Sequence, residues 1–309
     1  MNNILSYISE FFRTVDKWLL LGCAGFIAVF ITLNYRFGIE TKWLYSINSK
    51  LGKFAGFYAM YAIAFIIPYL FLLATRHKEA ANAKLFWLLL LAAPAIFAFK
   101  VSYNGISTWI SATTDGAWGR YFSIIASLPS KLLMVLIPLL LFWRAETNRS
   151  SFWGLTTHNF QWQPYAIMLL VMVPLIAFAS TQSDFLHTYP KLKQVAFIND
   201  HVHTSWPFKL LFEASYGIDF MTIELFFRGF LVLAFVRYVG ADAILPMAVF
   251  YCSIHFGKPV FECISSFFGG ILLGIIAYRT QSILGGFMVH VGIAWMMEIG
   301  GYVGNLWKK

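Results

Sequence analysis

The chain has 309 residues, 59% of them hydrophobic and only 12% charged, with a mean hydropathy of +0.68. That balance excludes a soluble globular domain of ordinary composition and points to an all-α, multi-pass membrane protein. The net charge of +9 sits mostly in short loops and near helix ends, as in "RHKEAANAK". Anionic headgroups attract such charge, so membrane lipid, and not nucleic acid, is the expected partner.

A helix crosses a hydrocarbon core of about 30 Å with roughly 20 residues. Apolar runs near that length are read at 18–35, 54–75, 85–99, 121–143, 164–180, 208–236, 243–256, 262–278 and 283–299. They give a polytopic bundle of about eight or nine transmembrane helices, the short third run deciding the number. The first, "WLLLGCAGFIAVFITLNY", follows a stretch bearing Glu10, Arg13, Asp16 and Lys17, and no small-x-small cleavage pattern comes after it. It reads as a retained span and not as a signal peptide. Between the fifth and sixth runs lies "TQSDFLHTYPKLKQVAFINDHVHTSW", the longest polar connection, which is long enough to carry a small structured cap. Its His201 and His203 read as solvated loop residues. Lys and Arg divide almost evenly between alternate loops, so the positive-inside rule does not orient the chain. Cys23, Cys252 and Cys263 all fall in apolar runs without metal-type spacing and read as small packing residues.

Charges at depth are the informative exceptions, because each costs roughly 2.5 to 3.5 kcal/mol on insertion scales. The run "DFMTIELFFRGFLVLAF" holds Glu224 and Arg228, four residues apart and so on one face of an α-helix, in the order that favours pairing. A neutralising pair that merely lets the span insert is the plain alternative. The next run ends with His255, one turn after Tyr251, and is broken by Gly257 and Pro259. Then come Glu262 and a small, polar face of Ser265, Ser266, Gly269, Gly270 and Gly274, whose GxxxG spacing predicts close helix packing. The last run places His290 in apolar surroundings, with Glu298 about two turns later. The first five spans hold almost nothing ionisable except Lys131. Carboxylate, imidazole and guanidinium gathered in one half of a bundle can activate water and stabilise an oxyanion.

The segments "IELFFRGFL", "YCSIHFGKP" and "FFGGILLGIIAYRTQSILGGFMVHVGIA" resemble the CPBP (Abi) family of intramembrane proteases, which includes the CAAX prenyl endopeptidases and bacterial homologues. The resemblance covers about residues 210 to 300. It implies N-terminal transmembrane helices over 1–150 and a catalytic membrane core over 151–309, in a bacterial cytoplasmic membrane. The family pattern is Glu-Glu-x-x-x-Arg, then Phe-x-x-x-His, then His-x-x-x-Asn or Asp. Glu224 matches the second glutamate, Arg228 the arginine, and His255 and His290 the two histidines. Ile223 stands in place of the first glutamate, Tyr251 in place of Phe, and Ala294 in place of Asn.

The resemblance implies hydrolysis of a peptide bond in a membrane peptide or lipidated protein. In that reading Glu224 is the general base, His255 shares the water, His290 binds the oxyanion or the same water, and Arg228 orients Glu224. Because the first glutamate is missing, Glu262 or Glu298 is an alternative base, with Tyr251 in support, and an inactive relative that binds without cutting is a further alternative. No organic cofactor is expected, since no Gly-rich phosphate loop stands between a strand and a helix. A zinc held by Glu224, His255 and His290 is a rival mechanism, although His-Glu-x-x-His is absent. A transporter or proton relay is the rival class. It calls for inverted repeats, and the ionisable residues crowd into one half.

Overall fold

The structure, a computed structural model, describes residues 2–145, 151–158 and 160–307. The division expected at residue 150 falls at 146–150, outside the described residues. In chain order the α-helices are α1 (Asn2–Thr14), α2 (Lys17–Phe37), α3 (Lys50–Thr75), α4 (Lys84–Ser102), α5 (Gly105–Thr113), α6 (Gly116–Ala145), α7 (Gln163–Ala179), α8 (Ser183–Thr188), α9 (Trp206–Glu224), α10 (Val236–Val239), α11 (Ile244–Ser253), α12 (Val260–Thr280) and α13 (Leu284–Trp307). No strand occurs among the described residues.

Among the described residues, seven helical stretches are long and apolar enough to cross a membrane. One of them, Trp206–Ser253, contains two of the runs read from the sequence, and α7 is a shorter apolar helix of 17 residues. The bundle is therefore the polytopic all-α architecture that composition implied. The third run is longer than expected: α4 reaches Ser102 and so takes in Lys100, which is buried with its ammonium over the Phe97 ring.

Local chemistry sets the helix ends. Asp16 caps α2 by accepting from the N–H groups of Trp18 and Leu19, and Gly38 ends it in the left-handed region at φ 64°. Ser49 caps α3 by accepting from Gly52 N–H. After Glu224 the backbone leaves α geometry and runs as a π-helix over Leu225–Leu233. The sequence pattern, which assumed one continuous α-helix over 208–236, did not anticipate this change of pitch.

The described residues form two compact units. The first comprises Met1–Tyr103, Pro138–Phe160 and Leu225–Leu284. Its core is aromatic: Phe65 meets Phe235 and Phe250, and Phe97 meets Phe226 and Phe227, with ring centroids between 5.2 and 5.5 Å apart. Such pairs contribute about 0.5–1.5 kcal/mol each beyond burial, which matters in lipid, where apolar transfer itself drives no helix association. Gly270 and Gly274 do what their spacing predicts. A Cβ on Gly270 would stand 3.2 Å from Ala248 Cα, and one on Gly274 would stand 2.7 Å from Met247 Cε, so α12 packs closely on α11.

The second unit comprises Asn104–Ile137, Gln161–Glu224 and Gly285–Lys309. The long polar connection is structured, as α8 followed by a 3-10 helix over Lys191–Asp200. Val195 and Ile198 from that connection pack with Tyr121 and Phe212, while Phe185, Leu186 and Tyr189 pack with Ile176.

Candidate functional site

In the second unit, Glu224 is the last residue of α9 and is wholly buried. His290 Nδ1 lies 2.6 Å from Glu224 Oε1. At that separation the imidazole and the carboxyl are in direct hydrogen-bond contact. Phe220, one turn before Glu224, stacks on the His290 ring with centroids 5.7 Å apart and planes 27° apart, which fixes the imidazole's tilt. The other carboxyl oxygen lies against α13: a Cβ on Gly286 would stand 2.0 Å from Glu224 Oε2. Gly286 is one turn before His290, so the same helix face that offers the imidazole leaves space for the carboxyl. Gly285 does the same for the Tyr165 ring, 1.9 Å from the position its Cβ would take.

In the first unit, the Arg228 guanidinium lies 4.1 Å from the centroid of the Tyr251 ring, and Arg228 is wholly buried. Tyr251 offers this cation an aromatic face, as a Phe at that position also could. The Tyr251 carbonyl accepts from His255 Nδ1 at 2.9 Å. A carbonyl only accepts, so Nδ1 is the donor in this contact, and Nε2 is the ring nitrogen left for other partners. Just after α11 the chain turns through Ile254–Pro259, which places His255 on a turn and not within the helix.

The two carboxylates kept as alternatives have other partners. Glu262 Oε1 pairs with Lys258 Nζ at 3.1 Å, one turn away. Glu298 accepts from the backbone N–H groups of Lys191 and Leu192, at 2.7 and 2.9 Å, and so holds the start of the 3-10 helix. Ala294 and Ile223, which stand where the family has polar residues, are buried.

The sequence reading missed Phe220, Gly286 and Glu213. Phe220 and Gly286 each sit one turn from a motif residue on its own helix face, a spacing visible in "FMTIE" and "GFMVH". Glu213 lies within electrostatic reach of Glu298. Among the described residues, no three His, Cys, Asp or Glu side chains are grouped so as to hold a metal ion.

Residues 206–296, which carry every one of these motif positions, match a family model described as type II CAAX prenyl endopeptidase Rce1-like. This segment resembles that family. The Rce1-like family is a family of proteases, so the resemblance is to a peptidase, and with the apolar helices it marks an integral membrane protein. No curated protein and no solved structure matches the chain.

Proposed function

We propose that the chain is an intramembrane endopeptidase that hydrolyses a peptide bond in a membrane-associated substrate, using water activated by Glu224 in a bacterial cytoplasmic membrane. The observation that carries this reading is the Glu224–His290 contact at 2.6 Å, a buried carboxyl held against an imidazole inside the segment that matches the Rce1-like model. Burying such a pair costs far more than burying apolar residues, and catalysis is the use that repays it.

Glu224 takes the proton of the attacking water. His290 holds Glu224 in place and balances the charge on it as the proton moves. The tetrahedral oxyanion that forms needs positive charge or N–H donors, and the protonated Glu224–His290 pair supplies the proton that the leaving amine requires. The family resemblance, and no distance, assigns His255 to the water and Arg228 to the glutamate. His255 donates from Nδ1 to the Tyr251 carbonyl, so Nε2 is the nitrogen that role would use. The substrate is a membrane peptide or the C-terminus of a lipidated protein.

Buried apolar side chains at Ile223 and Ala294 favour a second reading, a relative that binds such a substrate without cutting it. One experiment separates the two. A fluorogenic peptide library is incubated with the detergent-purified chain, with Glu224→Gln and with His255→Ala, each with and without a strong zinc chelator. Cleavage lost in both variants and kept under chelation supports the glutamate mechanism, and cleavage lost to chelator moves the chemistry to a metal. Folded wild type that binds peptides and cleaves none establishes the second reading.

A further inference from the structure

The turn that carries His255 is held from outside the Rce1-like segment. Four groups on the N-terminal third of the chain contact it, all within the first unit. Phe30 of α2 packs edge-on against Phe256, with centroids 4.9 Å apart. Asn34, nearly fully buried, donates its Nδ2–H to the Phe256 carbonyl at 3.0 Å, and its Oδ1 accepts from Glu40 N–H at 3.0 Å. The Tyr35 hydroxyl donates to the Lys258 carbonyl. Glu40, on the short π-helix Ile39–Leu44 that follows α2, is also buried. Its carboxyl accepts from Gly257 N–H and from the Tyr45 hydroxyl, with Oε1 3.2 Å from where a Gly257 Cβ would be.

Three consecutive residues, Phe256, Gly257 and Lys258, therefore give a carbonyl, an N–H and a carbonyl to Asn34, Glu40 and Tyr35. The turn between α11 and α12 uses its His255, Phe256 and Lys258 N–H groups in its own backbone bonds, and its other buried polar groups need partners from elsewhere. Here side chains from a different part of the chain supply them.

We infer that Asn34, Tyr35 and Glu40 are positioning residues for His255, forming a clamp through which the N-terminal helices set the geometry of the Rce1-like segment. The inference rests on the proposed protease reading. Glu40 gives the clamp a pH response. It lies outside the membrane spans, and burial pushes its carboxyl up to about 7, opposed by the Tyr45 and Gly257 bonds and by the Lys258 charge. The titratable groups facing it are Tyr45 from its own segment, Lys258 from the turn, Tyr61 from α3 and Cys263 from α12. Ionised, Glu40 is a full acceptor for both donors; protonated, it binds them more weakly. The cost of burying the carboxylate outweighs that gain in bonding, so the clamp opens more easily as the pH rises through about 7.

The test uses the full-length chain purified in detergent, as wild type, Glu40→Gln, Asn34→Ala and the milder Tyr35→Phe. Backbone amide exchange is followed in the peptide covering 254–258, and peptide cleavage is followed from about pH 6 to about pH 8. Exchange in 254–258 is expected to speed up in all three variants. Cleavage by wild type relative to Glu40→Gln is expected to fall by up to roughly tenfold across that range, as release of the buried proton favours opening of the clamp. Unchanged exchange in the variants overturns the clamp, whatever the cleavage rates. Faster exchange with a cleavage ratio independent of pH reduces Glu40 to a structural residue and overturns its positioning role. Absence of cleavage by wild type itself removes the protease reading, and the positioning role with it. The exchange result then judges the clamp alone, so the two failures are told apart.

Discussion

His290 and Glu224, 66 residues apart in the chain, meet at 2.6 Å, and neither helix supplies that geometry by itself. α9 ends at Glu224, and α13 offers His290 one turn beyond Gly286, so the contact depends on how closely α13 approaches the carboxyl.

Gly286→Ala tests that closeness. Its methyl group would stand 2.0 Å from Glu224 Oε2, and a buried carboxyl has no solvent to move into. The expected outcome is loss of cleavage by at least about a hundredfold, the effect of a misplaced reacting group. Helical content measured by circular dichroism should stay near that of wild type. Full activity in Gly286→Ala would show that Glu224 is not held where catalysis needs it.

Removal of the imidazole leaves the carboxyl buried without its main partner. His290→Ala is expected to destabilise the chain by about 1–3 kcal/mol. In the double variant with Glu224→Gln, most of that loss should be absent, because the two side chains act as one unit. Unfolding of the four proteins in a thermal or denaturant series measures the coupling, and strict additivity would contradict it.

Glu298 is expected to act on the long connection and not on the water. Glu298→Ala strips the acceptor from Lys191 N–H and Leu192 N–H, both partly buried, at a cost of about 1 kcal/mol each. The start of the 3-10 helix should loosen, and trypsin should cut at Lys191 and Lys193 faster than in wild type. A variant that loses all cleavage activity yet resists trypsin there would restore Glu298 as a candidate base.

Stability should depend on pH through Glu40. Its folded value of about 7 lies above the ordinary 4.5 because of burial. Between those values the folded chain keeps a proton that the unfolded chain has released, so stability is present at the acid end, falls as the pH rises through the window, and levels off above about 7. Glu40→Gln removes this slope. Melting curves from about pH 5 to about pH 8 should therefore show wild type losing ground to the variant as the pH rises, and parallel curves would disprove the burial of an ionisable Glu40.

Much of the molecule was legible before any coordinates. Hydropathy is a sum over roughly 20 neighbouring residues, so the membrane class and most of the spans follow from the chain read in order. The cost of a charge in lipid is also local, so Glu224, Arg228, His255 and His290 stood out by their surroundings, and GxxxG announced the packing of α12. The partners did not stand out. That Glu298 serves the backbone of Lys191 and Leu192, that Gly286 makes space for Glu224, and that Asn34 and Glu40 hold the turn after His255 all depend on contacts between distant stretches. Such contacts are chosen by shape and hydrogen-bond geometry over a few ångströms, which no local property of the sequence encodes.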